Sequence, residues 1–80
     1  MHYVYLLRSK NTPDRTYVGL TGDLKARLAR HNTGACPATR RHRPWVIVTY
    51  LAFSSRDQAA NFESYLKSGS GRAFASRRLW

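Results

Sequence analysis

The sequence predicts an α+β fold: a small three-stranded antiparallel sheet flanked by helices, in the order ββαβαα. Three observations predict it. Two short aromatic and β-branched runs near the start are separated by turn chemistry. A third such run follows in mid-chain, and stretches with helical periodicity and capping signals fill the intervals. Residues 3–7 (Tyr-Val-Tyr-Leu-Leu) read as the first strand. Asn11, Pro13 and Asp14 mark a turn, since Pro13 fixes φ and the flanking side chains can bond the local backbone. Residues 16–20 form the second strand and close a hairpin. In an even register Tyr5 and Tyr17 share one face, while Val4, Leu6, Val18 and Leu20 share the other. Thr21 is the expected cap of a helix, with Asp23 favourable at its positive end, and the helix runs to about His31. Asn32-Thr33-Gly34 stops it. A basic loop over 35–43 leads through Pro44 to the third strand, 45–53. Ser55 and Gln58 fit a capping box for a helix reaching about Lys67. Ser68-Gly69-Ser70-Gly71 is expected to break that helix, leaving a short basic terminal one over 72–80.

A length of 80 residues implies a single domain, 1–80, and excludes an enzyme with separate binding and catalytic lobes. Lys plus Arg number 14 against 4 Asp plus Glu, a formal charge of +10 that points to a polyanionic partner, most often nucleic acid. An anionic membrane surface fits less well, because the arginines are scattered and not massed on one amphipathic helix. No run is long enough to span a membrane, and the N-terminus Met1-His2-Tyr3 lacks the features of a signal peptide. One cysteine excludes an internal disulfide, so a cytoplasmic location is expected.

Helical phase separates candidate site residues from background charge. At about 100° per residue, Leu24 and Leu28 define the apolar stripe of the first helix, with Arg27 and His31 beside it and Lys25 and Arg30 turned away. In the second helix Ala59, Phe62 and Leu66 define the stripe, and Glu63 falls within it. A carboxylate among apolar neighbours needs a cation, a hydrogen-bond donor or a raised pKa. Asp14 reads as turn, and Asp23 and Asp57 as first-turn helix residues, which leaves Glu63 as the carboxylate free for a site. Plainer readings exist for each group. Arg27 can snorkel over the core edge or pair with Glu63 as a structural salt bridge, and His31 can simply complement the helix dipole. Arg40, Arg41 and Arg43 read as a solvated loop facing phosphates, each contributing about equally. Cys36 with His31 and His42 has a spacing that matches no common zinc pattern and lacks a fourth ligand.

Tyr3-Val4-Tyr5 followed by Tyr17-Val18-Gly19 resembles the paired strand motif of the GIY-YIG nuclease family. Arg27, His31 and Glu63 fall where that family places its remaining site residues. The stretch Tyr17-Val18-Gly19-Leu20-Thr21-Gly22-Asp23-Leu24, with Arg27-Leu28 and His31-Asn32-Thr33-Gly34 after it, is most similar to the small stand-alone bacterial members. The resemblance covers nearly the whole chain, roughly residues 3–74. Tyr3 stands where the family name has glycine, and an additional polar or basic site residue of homing and repair relatives has no counterpart here. A chain of 80 residues leaves no room for their separate DNA-recognition domains, so sequence-specific cleavage is not expected.

The resemblance implies a metal-dependent endonuclease that hydrolyses nucleic-acid phosphodiesters, with DNA the expected substrate and RNA the alternative. It implies Glu63 as ligand of a Mg²⁺ (or Mn²⁺) ion otherwise held by waters, Arg27 as phosphate clamp, and Tyr17 as general base. Tyr5 would orient water or phosphate, and His31 would assist the base or hold the scissile phosphate. A partner protein is the expected source of any specificity. The rival reading is a non-catalytic basic nucleic-acid-binding module on the same fold, with exposed aromatics such as Trp45 or Tyr65 stacking bases. A ribosome-associated or other RNA-binding structural protein shares the charge but gives Glu63 no task.

Overall fold

The structure, a computed structural model, describes residues Met1 to Trp80. Strands β1 (His2–Ser9) and β2 (Thr16–Thr21) form the hairpin, followed by helix α1 (Leu24–Thr33) and a 3₁₀ turn at Arg40–His42. Strand β3 (Trp45–Phe53) and helices α2 (Arg56–Leu66) and α3 (Gly69–Arg78) complete the ββαβαα order. The sheet is antiparallel in the order β2-β1-β3, so β1 is central. That position explains its unbroken apolar run: Val4, Leu6 and Leu7 are 0 % exposed and Tyr5 2 %, because both faces of β1 are covered.

The register pairs Tyr5 with Gly19 and Leu7 with Tyr17, so the two tyrosines do share a face. On the other face Val4 and Leu6 pack with Ala59, Leu66 and Ala75, joined by Val18 and Leu20. Helices α2 and α3 therefore cover one side of the sheet. Tyr5, Leu7 and Trp45 pack with Tyr17, Leu24 and Leu28 on the side covered by α1.

Two capping expectations need correction. Asp23, not Thr21, is the N-cap of α1: its backbone is extended and its side chain accepts from the Ala26 N–H. Thr21 instead closes the preceding turn by accepting from the Asp23 N–H at 3.1 Å. The Ser68–Gly71 stretch does not only break α2, because Ser68 caps α3 and Gly69 to Gly71 form its first turn. Glycine is required at 71 by proximity. A Cβ there would overlap the Tyr65 carbonyl, so the two helices pack backbone to backbone. Ser55 caps α2 as expected, accepting from the Gln58 N–H. No helix is long and apolar enough to cross a membrane.

Candidate active site

Tyr5 sits on the central strand with its ring directed across β2. Gly19, its cross-strand neighbour, makes this possible, since a Cβ at that position would run into the phenol ring and hydroxyl. Helix α1 then brings Arg27 and His31, one turn apart, over the same face. His31 is 1 % exposed, and both of its ring nitrogens are engaged: Nε2 lies 2.8 Å from the Tyr5 hydroxyl and Nδ1 2.6 Å from Thr39 Oγ1. The Thr39 hydroxyl has the Cys36 carbonyl as acceptor at 3.5 Å. The donors accordingly run from Tyr5 O–H to Nε2, and from Nδ1–H through Thr39 to that carbonyl. Tyr17 completes a three-ring cluster, 5.1 Å from the His31 ring and 6.4 Å from that of Tyr5.

The electrostatics follow from burial beside cations. Burial pushes the Tyr5 hydroxyl above its ordinary value near 10.0, against the opposing pull of the Arg27 guanidinium, while neighbouring Tyr17 raises it further. Burial also lowers His31 below 6.5, and the positive charges of Arg27 and Arg30 add to that. The imidazole is therefore neutral at pH 7 and does not serve as a charged complement to the α1 dipole. Arg27 reaches back to β2, donating to the Leu20 carbonyl at 3.3 Å, and no carboxylate lies within ion-pair range of it.

The Glu63 carboxylate makes no hydrogen bond or ion pair with Tyr5, Tyr17, Arg27 or His31. Helix α2 lies against the opposite face of the sheet, and the Glu63 carboxylate pairs at 3.3 Å with Lys67, one turn further along. The alternative Arg27–Glu63 salt bridge is thus absent. The expectation of a carboxylate without a partner also needs correction, because Lys67 supplies the cation that the apolar neighbourhood called for. The zinc alternative fails on geometry: no group of three His, Cys, Asp or Glu could hold a metal ion, and His31 has no free nitrogen.

Arg40 and Arg41 lie exposed on the 3₁₀ turn, as the reading of a solvated basic loop requires. Arg43 is exposed as well, with its guanidinium packed over Gly34, the left-handed residue (φ 85°) that closes α1. Trp45 is corrected from exposed to buried. It is 4 % exposed, and its indole N–H donates to the Thr39 carbonyl at 2.7 Å. Tyr65 remains on the surface, 39 % exposed. Thr39 was not singled out from the sequence, and nothing around it could have flagged it: it stands in an aperiodic stretch among arginines.

Comparison with known proteins identifies the family. A family model described as the GIY-YIG catalytic domain matches residues 1–76, and the chain belongs to the GIY-YIG family. Among its relatives, a UPF0213 protein of Staphylococcus haemolyticus is 37 % identical over 67 residues, spanning 82 % of this chain and 79 % of that one. The structure-specific endonuclease subunit SLX1 of Candida dubliniensis is 41 % identical over 71 residues, covering 80 % of this chain. The match spans only 25 % of that longer subunit. The solution structure of a UPF0213 protein from Bacillus halodurans superimposes with a TM-score of 0.57 at 30 % identity, covering 98 % of this chain and 85 % of that one.

Proposed function

We propose that the protein is an endonuclease that hydrolyses phosphodiester bonds in DNA with one divalent metal ion and little intrinsic sequence preference. The observation that carries the reading is the Tyr5–His31–Thr39 hydrogen-bond chain with Tyr17 and Arg27 around it. A structural core would satisfy this face with apolar side chains, at less cost than burying a histidine and a phenol beside a guanidinium. Kinship with SLX1 endonuclease subunits supports the same reaction class.

In this mechanism Arg27 clamps the scissile phosphate, its planar fork matching two oxygens and its charge opposing the charge that builds up in the transition state. Tyr17, only partly buried, takes the proton of the attacking water in its phenolate form. Tyr5 is the poorer base, because burial holds its proton on, and it positions the site through His31. The phosphorus–oxygen bond to the leaving strand breaks, and that oxygen takes its proton from solvent. Glu63 is the residue that would hold the metal. A single carboxylate with room for waters fits Mg²⁺ or Mn²⁺, which keep most of their hydration shell, and does not fit a protein-caged ion. Its pairing with Lys67 is a surface i,i+4 contact worth about 0.3–0.5 kcal/mol, which an incoming cation can displace. A metal held there would supply positive charge to offset the charge on the reacting phosphate. SLX1 relatives are named as subunits, which supports a partner protein as the source of specificity.

One observation favours the second reading, a binding module without turnover: Glu63 stands on the far-face helix with a lysine as partner. The variant Glu63→Gln separates the two, with Mg²⁺, Mn²⁺ or EDTA on labelled duplex, flap, branched and single-stranded DNA. The nuclease reading expects cleavage reduced by at least about a hundredfold, binding in EDTA unchanged or tighter, and an unchanged melting curve. Undiminished metal-dependent cleavage by that variant removes Glu63 from the site. Wild-type protein that cuts none of these substrates with either metal leaves only the binding module.

A further inference from the structure

A cleft of about 670 Å³ opens between the turn end of the hairpin and helices α2 and α3, and the mechanism above leaves it without a task. Arg8, Lys67 and Arg72 line it together with Thr16, Tyr17 and Trp80, and Asp14 is its single acidic group. We propose that this cleft holds a single DNA strand running away from the scissile phosphodiester, with backbone phosphates on Arg8, Arg72 and Lys67. The proposal deepens the nuclease reading and rests on it for the position of the scissile bond.

Three observations converge on this occupant. Neither Arg8 nor Arg72 has a carboxylate within ion-pair distance, so the cleft carries uncompensated positive charge. The Arg8 guanidinium lies 5.3 Å over the Trp80 ring, which holds it in place without neutralising it. Its Nε is the one buried side-chain nitrogen or oxygen in the protein with no hydrogen-bond partner, a desolvation cost that folding leaves uncompensated.

The cleft also joins two groups of site residues that the sheet separates. Tyr17 forms part of its wall while its ring contacts that of His31, and Lys67 on the other wall is bonded to Glu63. The cleft itself lies on the α2–α3 face with Arg8, so a strand leaving it would round the β2 edge at Tyr17 to reach the tyrosine face. Its volume is that of a small-molecule site, which admits a few nucleotides of one strand and excludes a duplex.

Arg72 is exposed and touches no core residue through its charge, so Arg72→Gln is the variant of choice, with the exposed Arg56→Gln as an equal-charge control outside the cleft. The probes are fluorescein-labelled (dT)12 and a hairpin duplex of matched phosphate number, titrated by anisotropy in EDTA. Arg72→Gln should weaken (dT)12 binding about five- to tenfold and duplex binding less than about twofold, while Arg56→Gln changes both slightly and equally. The Trp80 indole N–H resonance should shift with (dT)12, and the buried Trp45 resonance should not. Equal losses for the two variants, equal losses on both probes, or an unmoved Trp80 signal overturn the proposal. The two readings fail separately. Selective (dT)12 binding without cleavage of any substrate removes the nuclease and keeps the cleft. Cleavage by Arg72→Gln at wild-type KM removes the cleft and keeps the nuclease.

Discussion

Val4 and Leu6 project from one face of β1 and Tyr5 and Leu7 from the other, and all four are sealed from solvent. The core of the α2–α3 face is satisfied mainly by dispersion and area, with Val4, Leu6, Leu66 and alanines meeting at close range beside Phe62 and Trp80. The α1 face reaches the same burial with a phenol, an imidazole and a threonine, each tied by directional bonds. The difference teaches where evolutionary freedom lies: the first face tolerates swaps that conserve volume, while the second requires particular atoms at particular points. Strand β1 belongs to both, so adjacent residues of one strand obey different rules.

The largest expected contrast is between Leu6→Ala and Tyr5→Phe. Leu6→Ala should cost about 2–5 kcal/mol in urea unfolding, close to the whole stability of a domain this small. Tyr5→Phe keeps the volume, leaves His31 Nε2 without its donor at a cost of about 1–3 kcal/mol, and should reduce cleavage far more than it reduces stability. A Tyr5→Phe protein that cleaves at the wild-type rate would erase the contrast. Next in size is Arg27→Ala against Lys25→Ala, one charge each from one helix. Loss of the clamp should slow cleavage about thirtyfold or more, roughly 2 kcal/mol, and loss of the outward lysine less than about twofold. Equal effects would reduce Arg27 to a share of the general field.

A titration isolates the α1 face from its neighbour. The folded state holds His31 below its ordinary value while the unfolded chain titrates near 6.5, so acid favours unfolding. The histidine's contribution is fully present above about pH 6.5 and falls below it by up to about 1.4 kcal/mol per pH unit, until the folded imidazole protonates. Urea midpoints at pH 7.5 and 5.5 should differ more for wild type than for His31→Gln. A His31→Gln protein with undiminished acid sensitivity would place the titration elsewhere. The smallest effects concern the basic loop. Arg40→Ala, Arg41→Ala and Arg43→Ala should each make the slope of log K against log salt shallower by about one, because all three side chains are exposed. An unchanged slope in all three variants would take the loop out of the interface.

The strand runs, the hairpin register and the phase of α1 were legible because each is a periodic pattern longer than one turn or strand. Arg27 and His31 stood out from Lys25 and Arg30 on that basis alone, and the structure buries His31 and exposes Lys25 and Arg30 accordingly. What escaped was set by contacts between distant segments. Thr39 matters because a loop folds it under α1, and Trp45 is buried because its indole finds the Thr39 carbonyl. Local chemistry was also misjudged where two residues compete: Thr21 and Asp23 can both cap, and the strand end claims Thr21. The Glu63–Lys67 pair was readable as an i,i+4 spacing, but the apolar stripe drew the reading toward a free carboxylate. Arg8 carried a signal too, since it continues the Val4–Leu6 alternation onto the face that holds the cleft.

Gly19 contributes to this site by what it lacks. The space its missing side chain leaves is filled by the Tyr5 phenol, so residues 5 and 19 behave as one unit split between two strands. Any larger residue at 19 would evict the ring and with it the only donor to His31 Nε2, although no reacting atom belongs to the glycine. Invariance at such a position reports a reserved volume. A relative that changed it would be expected to shrink the residue opposite as well, exchanging the aromatic for something smaller and giving up the bond to the imidazole.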